Sequence, residues 1–509
     1  MKRTDNTIKN IISGVGGQII LIFAQFLCRT VFIKMLGAEY LGLNGLFSNI
    51  LNILSLSEMG FGTAILYSLY KPIEEKDYEK IRELLQLYKK IYIIISAVIL
   101  VVGGALTPFI EYFIKDTPDV ENLKLIYVLY LLNTVFSYVC VYKRSMIEAD
   151  QKSYVINIYQ KGIGFLQNLL QIVVLVITHN YIAYMVVWLC ATLFTNLIIS
   201  KQADKMYSFI TVKPEKKLSK QELGEISKNT YALFLHRIGS VVVNGTDNLI
   251  TSAFVGLVSV GIYSNYTLIT TNLNTLVSLI FNSTTASVGN LGVSGEKEHL
   301  KDVFNKLFYL AFLIYGFCSV ALVALFNPFI KIWVGTSYCF PIITVLLIVV
   351  NFYLNGTRIL MRIYRDAFGL FWYFRYKSVF EALINLAASL ILVRFWGING
   401  VLAGTTLSTL FVAFWIEPYV LYKYVFDEGP FEYFKNYFKY IFIIIITGII
   451  VYFLVGLVPE TLIGFVIKTF IVLIFTIAGF SLFTIKSKYF NYYLQLAIEK
   501  AKNIRSIFK

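Results

Sequence analysis

Residues 91–114 read IYIIISAVILVVGGALTPFIEYFI, with one acid, Glu111, near the end and no base. About 20 consecutive apolar residues of helix cross the hydrocarbon of a bilayer. On one side stands Pro72–Lys90, PIEEKDYEKIRELLQLYKK, where acids alternate with bases as on an exposed helix. On the other, the short polar run DTPDVEN (116–122) leads into the next apolar stretch. Outward from here the pattern repeats. Fourteen apolar stretches follow at 11–33, 41–68, 91–114, 124–142, 154–178, 181–200, 230–255, 260–290, 303–327, 338–361, 372–394, 398–422, 440–457 and 461–484. The expected fold is an all-α polytopic membrane protein of 14 transmembrane helices.

Composition agrees. Of 509 residues, 57% are hydrophobic, 16% aromatic and 15% charged. Soluble domains carry about 45–50% apolar and roughly 25% charged residues, so soluble enzymes, disordered chains and disulfide scaffolds are excluded. The first stretch follows Lys2 and Arg3 but contains Arg29 and no small-residue cleavage site, so it reads as a span rather than a cleaved signal. The five cysteines lie singly in apolar stretches and are expected to be buried thiols.

The net charge of +15 is a topology signal rather than a nucleic-acid surface. About 35 of the 45 Lys and Arg fall in alternate loops and both termini, and about 5 in the opposite loops. Both termini are therefore expected in the cytoplasm. The outer loops, such as Lys34–Tyr40, His179–Asn180, Gly256–Ser259 and Val458–Glu460, are short. That disfavours a membrane glycosyltransferase or polymerase, which needs a larger acid-bearing loop. No Walker A sequence is present.

The chain also repeats itself. Shifted by 219 residues, Leu36-Gly37 falls on Val255-Gly256 and Leu41-Gly42-Leu43 on Val260-Gly261-Ile262. Shifted by 220, Pro108-Phe109-Ile110 falls on Pro328-Phe329-Ile330. Six spans separate the copies, so both enter the membrane from the same side, as in transporters with parallel repeats. The expected domains are an N-terminal lobe of helices 1–6 (1–200), a cytoplasmic linker (201–228), a C-terminal lobe of helices 7–12 (229–424), and helices 13–14 with a cytoplasmic tail (425–509). The two pseudo-symmetric lobes are expected to enclose a central cavity.

Charges inside spans are costly and normally face a cavity or a partner. Arg29, Lys161, Arg237 and Arg358 are candidates for an anionic diphosphate, since guanidinium forks match phosphate and Lys supplies a point charge. Glu58, Asp247 and Glu381 are candidates for coupling-ion chemistry or gating. The repeat sets Arg29 one residue from equivalence with Asp247, so the two are expected to pair when the outer side is shut. Gly60 and Gly62 are expected to let the second span bend beside Glu58. Asn44, Tyr263 and Asn265 are candidates for sugar contacts.

Gly37-Ala38-Glu39-Tyr40-Leu41-Gly42-Leu43-Asn44-Gly45-Leu46-Phe47 and Leu54-Ser55-Leu56-Ser57-Glu58-Met59-Gly60-Phe61-Gly62 resemble the first hairpin of Wzx-type polysaccharide flippases. These belong to the multidrug/oligosaccharidyl-lipid/polysaccharide exporter superfamily. Glu148-Ala149-Asp150-Gln151-Lys152-Ser153-Tyr154, Thr246-Asp247-Asn248, Val260-Gly261-Ile262-Tyr263-Ser264-Asn265-Tyr266 and Glu381-Ala382-Leu383-Ile384-Asn385-Leu386 extend the resemblance over spans 1–12. It implies a secondary transporter, not an enzyme. Such a protein flips undecaprenyl-diphosphate-linked oligosaccharide across the bacterial cytoplasmic membrane for capsule, exopolysaccharide or O-antigen assembly. It implies Na+ or H+ as coupling ion and no other cofactor. It further implies a monomer among membrane lipid, with a polysaccharide polymerase and chain-length machinery as partners and no nucleic acid. The related multidrug cation antiporters carry an acid in helix 1, where this chain has Arg29. The peptidoglycan-precursor (lipid II) flippase, with 14 spans and cavity arginines, is the nearer alternative.

Overall fold

The computed structural model describes residues 2–58, 61–115, 120–215, 218–224, 245–282, 284–285, 288–289, 291 and 297–507. Among these the chain is helical, with no strand. In lipid every backbone polar group must be satisfied internally, and helices do this segment by segment. Among the described residues, ten helices are long and apolar enough to cross a membrane, or up to eleven if the bent pair Leu123–Ser137 and Val141–Ala149 is one span. The protein is a multi-pass membrane protein. The fourteen stretches of the sequence are not counted one by one here, for local reasons. Lys2–Leu54 holds two helices that meet at a kink at Gly37, with φ 81° and ψ −170°. The seventh stretch falls largely on 225–244, outside the described residues. The eighth, Leu257–Asn282, is helical but rich in Asn and Thr.

By its internal contacts the chain divides into two compact units. The first comprises Met1–Thr267 and Arg375–Gly404, the second Leu268–Phe374 and Thr405–Lys509.

In the first unit the Lys2–Leu54 helix lies along Ser153–Thr178, which pairs in turn with Tyr181–Met206. The second stretch is interrupted by a 3-10 turn at Ser55–Glu58, and a new helix, Phe61–Glu75, begins beyond it. Gly60, one of the two glycines expected to let this span bend, lies outside the described residues. Pro72–Lys90 is not one surface helix. Lys76 takes a left-handed φ of 59° and the Asp77 side chain caps the backbone N–H of Lys80 at 3.0 Å, starting Tyr78–Leu106. Acid–base neighbours still line the segment, with Lys80 to Glu83 at 3.1 Å and Arg82 to Glu79.

The linker folds back on this segment. Glu222 accepts from the Lys80 ammonium and from Ser219 Oγ and backbone N–H, each at 2.9 Å for the serine. The Lys80 bond and the Ser219 bonds hold the Glu222 carboxyl down at about 2. A depressed acid contributes stability above its unfolded value and loses it as the pH falls through the folded one. Tryptic cleavage at Lys220 is thus expected to stay slow at pH 5 and above. In Glu222→Gln it should be fast at neutral pH. Equal cleavage rates in both chains at pH 7 would show that the clamp holds nothing.

In the second unit the Lys297–Val334 helix packs on Ile342–Thr357, Phe431–Gly456 and Leu462–Thr484. Its core is aromatic. Phe312 stacks on Tyr440 with ring centroids 4.3 Å apart, Phe308 meets Tyr433 at 4.9 Å, and Phe414 meets Tyr437 at 5.0 Å. Offset and edge contacts of this kind add to simple area burial. Of the cysteines, only Cys28 is buried; Cys190 is exposed on its helix and the others are half-buried.

Candidate functional site

In the first unit two glycines of the sequence repeat meet. A Cβ on Gly42 would collide with the carbonyl oxygen of Leu257, and one on Gly261 with that of Ala38. The 219-residue shift exchanges these two contacts, since Gly42 maps onto Gly261 and Ala38 onto Leu257. The crossing is therefore its own image, as a pseudo-twofold axis passing between the two glycines requires. Gly37 and Gly256, another matched pair, both have positive φ, 81° and 125°. Only glycine takes these values without strain. A repeat read from short matches thus has a geometric counterpart.

Arg29 lies near this crossing. Its Nε donates to Asn265 Oδ1 at 3.1 Å and its Nη2 to Ser264 Oγ, itself bonded to the Gly261 carbonyl at 2.6 Å. Among the described residues no carboxylate pairs with it, and the expected partner Asp247 is not one of the groups that hold it. Tyr130, Tyr181 and Tyr184 surround the guanidinium. The hydroxyls of Tyr130 and Tyr181 share a 2.8 Å hydrogen bond, and Tyr181 stacks on Tyr184 at 5.9 Å. Asn265 is fully buried and its Nδ2 has no partner. Sequence reasoning placed Arg29 with a diphosphate and Asn265 with a sugar; the structure puts the two side chains in contact.

Lys161 donates to Gln18 Oε1. Gln18 and Arg29 are eleven positions apart in one helix, so they share a face roughly 16 Å apart along the axis. The first unit thus carries two cations at two depths, each held by neutral oxygens.

The other cation candidates differ. Arg358, in the second unit, forms a fork with Glu417, with Nε to Oε2 at 3.0 Å and Nη2 to Oε1 at 2.7 Å. Its charge is matched. Glu417 escaped the sequence reading, although a lone acid in the 398–422 stretch was the available signal. It sits between two π-helical turns, Thr409–Ala413 and Tyr422–Phe426, which are frequent at functional sites. Arg237 lies outside the described residues.

Among the acids, Glu58 Oε1 accepts from Tyr92 Oη at 2.7 Å, and the Tyr138 hydroxyl reaches the same carboxylate. Tyr88 Oη stands 3.2 Å from Tyr92 Oη. Glu58 thus ends the 3-10 turn Ser55–Glu58, beside the hydroxyls of Tyr92 and Tyr138. Glu381 pairs with Lys377 one turn earlier at 2.9 Å, both buried. Asp247 lies within electrostatic reach of Tyr263. Asn44 Oδ1 accepts from Ser48 Oγ at 3.3 Å.

The profile of the family described as "Polysaccharide biosynthesis protein" matches residues 7–286, a span holding Arg29, Lys161, Glu58 and the glycine crossing. No protein of curated function matches the chain. Several solved structures share its fold. The lipid II flippase MurJ in an inward closed conformation is 15% identical, with a TM-score of 0.69, and the match covers 93% of this chain and 98% of that one. A multidrug resistance MATE family transporter of the MOP superfamily, inward-facing, is 14% identical with a TM-score of 0.63, over 81% of this chain and 98% of that one. The Vibrio cholerae MATE transporter VcmN is 13% identical with a TM-score of 0.56, over 84% and 99%. At these identities the likeness is one of fold.

Proposed function

Because the chain belongs to the polysaccharide biosynthesis protein family, we propose that it flips an undecaprenyl-diphosphate-linked oligosaccharide from the inner to the outer leaflet of the bacterial cytoplasmic membrane. The cycle is ion-coupled alternating access, with both termini cytoplasmic, and its product feeds capsule, exopolysaccharide or O-antigen assembly. The observation that carries this reading is Arg29, a membrane-embedded guanidinium held by Asn265 and Ser264 and by no acid. A cation in hydrocarbon persists only where something offsets its desolvation, and neutral acceptors leave its net charge for an arriving anion. A diphosphate meets that fork with two charge-assisted bonds. Lys161, held by Gln18 on the Arg29 face of the first helix, receives the anion on entry from the inner side.

Glu58 is the coupling acid. A carboxylate at the end of a 3-10 turn, bonded by tyrosine hydroxyls, can take up and release a cation without unfolding its surroundings. Glu58→Gln is expected to flip substrate at the same rate with and without an imposed Na+ or H+ gradient, while the parent chain is driven by one of them. Gradient stimulation that survives in Glu58→Gln removes this assignment. The overall reading is tested in vesicles carrying the purified chain and labelled lipid-linked oligosaccharide. Uptake of a drug cation in place of that lipid would instead point to an antiporter.

A further inference from the structure

The last helix, Lys488–Ile507, has no part in the proposed transport path, yet it has a distinct chemistry. At 100° per residue, Phe490, Tyr493, Leu494 and Ala497 share one face, and Lys488, Asn491, Gln495 and Glu499 share the opposite one. An amphipathic helix of low overall hydrophobicity lies in the plane of a membrane surface. From Lys486 to Lys509 the sequence carries Lys486, Lys488, Lys500, Lys502, Arg505 and Lys509 against the single acid Glu499.

Beneath the start of this helix lies a groove of about 510 Å³. Leu310, Leu313, Ile314 and Phe317 form one wall, Ile477 and Phe480 the second, and Phe490, Tyr493 and Leu494 close one end. From Tyr309 to Cys318 it runs about 14 Å along the Lys297–Val334 helix, close to the roughly 15 Å of one hydrocarbon leaflet. Its closed end is basic. Lys306 and Lys488 both bind Asp302, at 3.0 and 2.9 Å, which leaves one positive charge in excess. Lys306 also lies over the Tyr492 ring, 4.4 Å from its centroid. An apolar slot one leaflet deep, with cations at its aqueous end, has the polarity of one class of ligand.

We propose that this groove binds an acyl chain of an anionic phospholipid of the inner leaflet, its phosphate held by Lys306 and Lys488 at the closed end. The site anchors the end of the chain to the membrane surface and is independent of the substrate carried. The experiment is native mass spectrometry of the full-length chain released from vesicles of equal phosphatidylglycerol and phosphatidylcholine with matched acyl chains. Retained phosphatidylglycerol is expected to exceed phosphatidylcholine by about tenfold, the scale that a few basic groups near a surface supply. A charge-removed chain (Lys306→Gln, Lys488→Gln) and a groove-filled chain (Leu313→Trp) should each lose that excess. Equal retention of the two lipids overturns the proposal. So does an excess that survives in both variants, and so does preferential retention of added undecaprenyl phosphate. Flipping measured on the same vesicles reads the transport proposal separately, because lipid retention does not require substrate.

Discussion

Arg29→Ala is expected to lower the initial flip rate of a diphosphate-linked oligosaccharide by about 10- to 100-fold, at unchanged yield of folded protein. The estimate follows from the bonds at stake. A hydrogen bond to a charged group contributes about 1.5–3 kcal/mol, and every 1.4 kcal/mol is a factor of ten. The substitution also releases Asn265, already fully buried with an unpartnered Nδ2, so some of the loss arises from a loosened wall. Arg29→Lys separates the two effects. It restores the charge but not the planar fork, and should recover only part of the rate. Arg29→Gln keeps hydrogen bonding without charge and should resemble alanine. The assay is the time course of labelled lipid reaching the outer leaflet of proteoliposomes. A rate within twofold of the parent in both Ala and Gln variants would mean that no anion meets this side chain.

Gly261→Val is expected to cost as much by a different route. Its Cβ has no room beside the Ala38 carbonyl, and Gly42 meets the Leu257 carbonyl in the same way. The obstacle is backbone, so it cannot rotate aside. The two helices must separate, and the outer side then cannot close. Gly42→Val should behave like Gly261→Val, because the repeat makes their surroundings equivalent. The closure itself is read by a disulfide. A Cβ on Gly45 would lie 2.9 Å from Val260 Cγ1, so a Gly45→Cys, Val260→Cys chain should crosslink on oxidation and stop flipping. Reductant should restore it. In a Gly261→Val background the crosslink yield should fall severalfold. Full crosslinking there, with normal transport, would show that the glycine crossing is not a gate.

Much of the architecture was legible because lipid imposes one rule on every span. Length and apolarity mark the helices at 78–106, 153–178, 181–206, 431–456 and 462–484 with little ambiguity. The repeat was legible from Gly37, Gly42, Gly256 and Gly261, because positive φ and close helix approach both demand the same residue. Which faces pack was not legible. Spans apolar all round give no periodic signal, so the aromatic core of Phe304, Phe312, Tyr437 and Tyr440 could not be told from lipid-facing rings. The pairing of Arg358 with Glu417 was missed for a related reason, since fifty-nine positions and a change of helix separate the two. Arg29 was recognisable as a buried cation, but its partners Ser264 and Asn265 are small neutral residues that charge arithmetic does not register.

The most direct measurement places the purified chain in sealed vesicles with fluorescent undecaprenyl-diphosphate oligosaccharide on the inner-leaflet-equivalent side. Delivery to the opposite face is followed by a membrane-impermeant quencher while a sodium or proton gradient is applied. The account predicts gradient-driven delivery that needs Arg29 and is indifferent to drug cations. Delivery no faster than in protein-free vesicles, from a chain folded and correctly inserted, would contradict it.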